Sequence, residues 1–343
     1  MNTTAELEAT IYDMVQAGKG ILAADESTPT LTRRFAAIDV ESTEQNRRSY
    51  RSMLFTTPGL DEFVSAVILF EETLTQQSDD GTPLPEVLAK QGIVPGIKVD
   101  KGLQPLANAA GDKVTQGLDG LAERLQLYKT QGARFAKWRE VYPISGQNPT
   151  ALGLDVNAEM LARYAAICQT EGFVPVVEPE VLIDGDHSIA RCAEVIELVL
   201  HAVFHALHRH KVVLEHIVLK PSMVTPGMEN ASRATPEQVA EATIEVFRRV
   251  VPAAVPSINF LSGGQTPEEA TANLNAMNAR FKDAPWELSF SYGRALQEPA
   301  LKAWQGKTEN EAVTQQALYQ RAFLNGTART GDYTPEMETE AFI

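Results

Sequence analysis

Three lysines stand where a lysine is costly to keep: Lys98 in GIKVDKG, Lys137 in RFAKWR and Lys220 in HIVLKPS each follow a short apolar run. Burial penalises an ammonium ion and neighbouring cations repel its proton, so three lysines meeting in one site let one become a neutral amine near neutral pH. A neutral amine attacks carbonyl carbon. One such lysine alone reads more simply as a side chain snorkelling to solvent. Three at equivalent positions point to a shared carbonyl or anion site, although the residues by themselves do not choose the nucleophile among them.

Carboxylates recur at the same kind of position. Asp25 follows GILAA, and Glu178 and Glu180 flank Pro179 in VPVVEPE, where two-residue spacing turns both side chains to one face of an extended strand. Beside a lysine, Glu178 suits proton transfer, whereas Glu180 reads as an ion-pair partner. Phosphate-binding chemistry is present too. Ser262, Gly263 and Gly264 in LSGGQ offer a hydroxyl and unobstructed backbone amides, and SFSYGRAL adds Ser291, Gly293 and Arg294. In DESTPTLTRR, Ser27, Thr28, Thr30, Arg33 and Arg34 read equally as a second phosphate site or as a helix cap with a solvated basic turn.

The elements that must position these groups follow one rhythm. Eight short runs rich in Val, Ile, Leu or Phe end in a charged or small polar residue, and helix-like patterns such as LDGLAERLQLYKTQG and RCAEVIELVLHAVFHALHRH lie between them. The steps from Lys98 to Lys137, Glu178, Lys220 and Ser262 are 39, 41, 42 and 42 residues. That fits one strand, one helix and their loops. Eight such units predict a single-domain α/β chain folded as a TIM (β/α)8 barrel over residues 1–343, with catalytic groups at the C-terminal ends of the strands. An open doubly wound sheet is the alternative, but the glycines of GKGILAAD precede the first strand and form no GxGxxG turn after it. MNTTAELEATIYDMVQAG predicts an N-terminal helix stopped at Gly18, and residues 327–343 read as an acidic, flexible tail.

Composition excludes several classes. With 30 basic and 45 acidic residues the net charge is −15, which disfavours nucleic acid and anionic membrane surfaces as partners, and no apolar stretch is long enough to span a bilayer. Two cysteines, Cys168 and Cys192, make no disulfide framework, and the acidic N-terminal stretch lacks a secretion-signal pattern, so the expected location is cytoplasmic. His201, His205 and His208 share one helical face at ligand-like spacing, yet they lie on a surface-type helix away from the strand ends. No metal is assigned to them.

In order, GKGILAADEST, PGIKVDKG, GARFAKWR, PVVEPE, LKPSMVTPG, FLSGGQ and SFSYGRAL resemble the signature segments of class I fructose-bisphosphate aldolases, a likeness that runs from about Gly18 to Tyr333. The resemblance implies reversible cleavage of fructose 1,6-bisphosphate to dihydroxyacetone phosphate and glyceraldehyde 3-phosphate through a lysine imine, without cofactor or metal. It implies Lys220 as the Schiff-base lysine, Glu178 as the acid/base with Glu180 beside it, Asp25 near the hydroxyl whose deprotonation breaks the carbon–carbon bond, and Lys137 as a supporting cation. One phosphate end maps to Ser262, Gly263, Gly264, Ser291, Gly293 and Arg294, the other to Ser27, Arg34, Lys98 and Arg139. Phosphorylated sugars are the implied partners, and a homotetramer the implied assembly. Two departures stand out: Pro29 and Thr30 follow DEST where the family often has Gly and Ser, and the last residues are Phe342 and Ile343 rather than a terminal tyrosine.

Overall fold

A computed structural model describes residues 3–339. Eight parallel strands close into a barrel: β1 (Gly20–Ala24), β2 (Val64–Leu69), β3 (Val94–Lys98), β6 (Phe135–Tyr142), β7 (Val174–Val181), β8 (Val218–Leu219), β9 (Ser257–Phe260) and β10 (Glu287–Tyr292), with β10 paired back onto β1. All eight apolar runs are barrel strands. A small antiparallel hairpin, β4 (Leu103–Pro105) with β5 (Lys113–Thr115), was not anticipated.

Alternation along the strands separates two cores. Ile21, Ala23, Ala66, Ile68, Val94, Val174, Val176 and Val218 fill the barrel, joined from below by Leu7 and Met14 of the helix Thr3–Met14. Their neighbours Leu22, Ala24, Val67, Leu69, Val177 and Leu219 pack outward against the helices. Each fully buried side chain of this type contributes roughly 1.5–3 kcal/mol. Helix starts carry side-chain caps: Thr235 and Gln238 form a capping box ahead of Pro236–Val250, and Thr266 and Glu269 another ahead of Pro267–Arg280. These caps hold helices whose preceding loops form the barrel mouth.

The C-terminal segment differs from the expected tail. Residues 327–330 complete the helix Glu311–Thr330, Gly331 ends it at φ 80°, and the chain then turns back onto the fold. Tyr333 is 6% exposed and its amide donates to Asn275 Oδ1, while Arg321, itself buried, pairs with Glu338 at 2.5 Å. An acidic segment with few apolar residues cannot pack alone, but a buried arginine gives Glu338 a partner that the local sequence does not contain. Phe342 and Ile343 lie outside the described residues.

Candidate active site

Every strand end bearing an expected functional residue opens into one cavity of about 520 Å³. The register explains why. Lys98 stands opposite Lys137, Arg139 opposite Glu178, and Val177 opposite Leu219, so Glu178 and Lys220 follow side by side. At β8 the strand is only two residues long, but Lys220 N donates to Val177 O at 2.8 Å and Pro221 O accepts from Leu261 N at 3.1 Å, which keeps the backbone extended on both sides. Proline after Lys220 disfavours a helix there. The side chain lines the cavity and is 3% exposed.

Four groups form the centre. Lys137 Nζ lies 2.9 Å from Asp25 Oδ2 and 2.7 Å from Glu178 Oε2, and Lys220 Nζ lies 3.3 Å from Glu178 Oε1. Glu178 thus bridges the two lysines. Their electrostatics diverge: burial would lower both lysine pKa values, but Lys137 faces Asp25 and Glu178 and is driven well above its usual range. Lys220 is left below its usual range, by burial first and by the Lys137 cation. Asp25 is buried as well, yet Lys137 and Lys220 override the burial penalty and hold its carboxyl well below the usual range. One lysine is pinned as a cation, one is released toward the amine, and the Asp25 carboxylate is held ionised.

Two groups of residues lining the same cavity flank this centre. On one side Gly263 and Gly264 take φ of 22° and 82°, and a Cβ on them would lie 2.6 Å from Leu261 and 2.5 Å from Ile183. Only glycine presents the backbone there without a clash. Ser291 Oγ is buried without a hydrogen-bond partner among the described residues, and Ser262 is nearly as buried. Gly293 caps the helix Arg294–Trp304, whose N-terminal amides favour an anion. Arg294 donates to Gln265 O at 3.0 Å and makes no ion pair among the described residues.

On the other side the cations are already paired: Lys98 with Asp100 at 2.7 Å, Arg34 with Glu26 at 2.5 Å, and Arg139 with Glu180. Glu180 is thus an ion-pair partner as expected, though of an arginine. Ser27 caps the helix Thr28–Ala36 by position, Pro29 sits in the first turn where it needs no donor, and Thr30 Oγ1 lies 3.2 Å from Ser27 Oγ. The unusual Pro-Thr pair is compatible with that turn.

The sequence reading missed Glu26 and the hairpin. Glu26 is buried, faces the cavity, and accepts from Arg34 and from Gln297 Nε2 at 2.8 Å. Its signal was the second acid of ADES. Leu103 and Thr115 of the hairpin form a cavity wall. By contrast, His201, His205 and His208 are exposed on the helix Ile189–Arg209 and do not line the cavity. Among the described residues no group of three His, Cys, Asp or Glu is arranged to hold a metal ion, and no helix is long and apolar enough to cross a membrane.

Comparison with known proteins places the whole chain. The family description Fructose-bisphosphate aldolase class-I matches residues 6–342. Fructose-bisphosphate aldolase 6, cytosolic, of Arabidopsis thaliana is 56% identical over 92% of this chain and 88% of its own length. A probable fructose-bisphosphate aldolase class 1 of Xanthomonas campestris is 51% identical over 96% of this chain and 98% of its own. Among solved structures, a Plasmodium falciparum fructose-bisphosphate aldolase, in complex with TRAP and a small molecule inhibitor, superposes with a TM-score of 0.95 at 51% identity and covers 97% of this chain and 96% of that one. The chain belongs to the class I fructose-bisphosphate aldolase family, aldehyde-lyases that work through a Schiff base.

Proposed function

We propose that Lys220 is the imine-forming lysine of this aldolase and that Glu178, Asp25 and Lys137 divide the proton chemistry around it. The observation that carries this reading is Glu178 bridging Lys137 and Lys220, with the pKa of Lys220 depressed and that of Lys137 raised. Lys220 Nζ adds to the C2 ketone of fructose 1,6-bisphosphate, and Glu178 protonates the departing hydroxyl so that water leaves and the imine forms. Asp25 accepts the proton of the C4 hydroxyl. The C3–C4 bonding pair then flows into the protonated imine, glyceraldehyde 3-phosphate departs, and an enamine remains. Protonation at C3 and hydrolysis return Lys220 and release dihydroxyacetone phosphate.

Borohydride reduction with dihydroxyacetone phosphate present, followed by peptide mapping, tests the assignment. The adduct is expected on Lys220; an adduct on Lys98 or Lys137 reassigns the nucleophile. Because an imine supplies the electron sink, EDTA treatment is expected to leave cleavage unchanged.

We assign Ser262, Gly263, Gly264, Ser291, Gly293 and Arg294 to one phosphate and Ser27, Arg34, Lys98 and Arg139 to the other. Among the described residues Arg294 has no carboxylate partner, whereas Arg34, Lys98 and Arg139 must share their charge with acids already in place. Replacing Arg294 with alanine is therefore expected to raise KM roughly 10- to 100-fold, the equivalent of a charge-assisted contact of roughly 1.5–3 kcal/mol. Steady-state kinetics check this, and an unchanged KM moves the phosphate elsewhere. Residues 1–343 form one domain on this reading, cytoplasmic as the printed name of the Arabidopsis relative suggests for that protein, and assembled as a homo-oligomer of the tetrameric kind that the family resemblance implies.

A further inference from the structure

Behind the cavity wall lies an acid that the reaction does not use. On β6 the residues Lys137 and Arg139 serve the cavity, while Trp138, Glu140 and Tyr142 alternate to the opposite face. Glu140 is 0% exposed and has no ion-pair partner among the described residues. Its Oε2 accepts from the Thr115 amide at 3.0 Å and its Oε1 from Trp138 Nε1–H at 2.8 Å. Thr115 also donates its hydroxyl to Arg139 O at 2.6 Å. One residue of the hairpin thus grips both Glu140 and the backbone of the arginine that faces Glu180 in the cavity. Two residues earlier, at the start of β5, Lys113 O accepts from Asn157 Nδ2 at 3.0 Å.

We propose that Glu140 is a positioning residue for catalysis: its buried carboxyl seats the β4–β5 hairpin as a wall of the active cavity and, through Thr115, fixes the Arg139 backbone. The proposal rests on that cavity being the bisphosphate site, but the seating itself does not depend on which lysine forms the imine.

The electrostatic setting gives this contact a pH dependence with a definite sign. Burial raises the Glu140 pKa to about 7, against the lowering effect of the Trp138 and Thr115 hydrogen bonds, and the Asp100 carboxylate adds like charge. Among the described residues no ion pair supplies Glu140 with a countercharge. Tyr142 on its own strand is held neutral by burial, and Asn157 from the helix Ala151–Thr170 is uncharged. Tyr164 from that helix is also held neutral, with its hydroxyl given to Ala136 O. Lys113 of the hairpin is exposed, and Asp112 is bound to Asn148 and Thr150. A carboxyl whose pKa rises on burial binds its proton more tightly in the seated form than in the opened, solvated form. Seating is therefore strongest below the ordinary carboxyl pKa and weakens as pH climbs through about 7.

Hydrogen exchange of residues 101–117 in the full-length chain, corrected for the intrinsic pH dependence, reads the opening directly. Protection is expected to fall by about tenfold between pH 6 and pH 8.5 in the unaltered protein and to stay level in Glu140→Gln. In parallel, the ratio of KM for fructose 1,6-bisphosphate between the unaltered protein and Glu140→Gln is expected to rise with pH across that window, with kcat changing less. Level protection in the unaltered protein, or the same fall in Glu140→Gln, overturns the latch. Parallel KM profiles overturn its role in positioning. If Glu140→Gln does not fold, exchange in the unaltered protein still decides, and borohydride mapping separately tests Lys220.

Discussion

Replacing Lys220 with methionine is expected to abolish borohydride trapping with dihydroxyacetone phosphate and to lower cleavage of fructose 1,6-bisphosphate by several orders of magnitude. Methionine keeps much of the length and fits an apolar approach, so the loss isolates the amine from the packing around Ile217, Val218 and Leu219, all at most 1% exposed. No neighbour can substitute. Lys137 is held as a cation between Asp25 and Glu178, and Lys98 is tied to Asp100 at 2.7 Å. Removing Lys220 deletes a lysine whose pKa is lowered toward the amine, and with it the electron sink for the C3–C4 bond. The same direction sets the pH response: below the Lys220 pKa the amine is protonated and imine formation slows, so activity is lost as pH falls. Trapping that persists in the methionine variant, mapped to another lysine, overturns the assignment.

Lys137→Met is the second large effect, and it acts through charge rather than through bond formation. The substitution strips Asp25 and Glu178 of a cation 2.9 and 2.7 Å away and leaves both carboxylates buried beside each other's charge. Burial then prevails, and the Asp25 pKa moves up. A protonated Asp25 cannot take the C4 hydroxyl proton. Loss of a positioned acid or base typically costs about 10²–10⁴ in rate, and breaking a buried ion pair about 3–5 kcal/mol of stability. We therefore expect kcat to fall within that range and Tm to drop by several degrees, with borohydride trapping of dihydroxyacetone phosphate reduced less than bond cleavage. Steady-state kinetics, thermal unfolding and trapping on one preparation check the three together. An unaltered kcat removes Lys137 from the catalytic cluster.

These two variants also show where local sequence stops being informative. The chain by itself determined the eight strand ends and their chemistry, because a buried parallel strand must be a short apolar run and its last residue must tolerate the barrel mouth. It determined the paired glycines at the cavity for an equally local reason, since Gly263 and Gly264 take positive φ. The motif order was enough to suggest the family. Tertiary structure alone decided which lysine is acidic: Lys137 and Lys220 look alike in sequence, and their pKa values diverge because Asp25 and Glu178 arrive from other strands at 2.7–3.3 Å. Coulomb energy depends on distance through space, not along the chain. The same reason hid Glu26, whose partners Arg34 and Gln297 lie 8 and 271 residues away, and Glu140, whose donor Thr115 lies 25 residues back in a hairpin with no apolar period. It also misplaced the tail, because Glu338 is held by Arg321 and not by anything in its own segment.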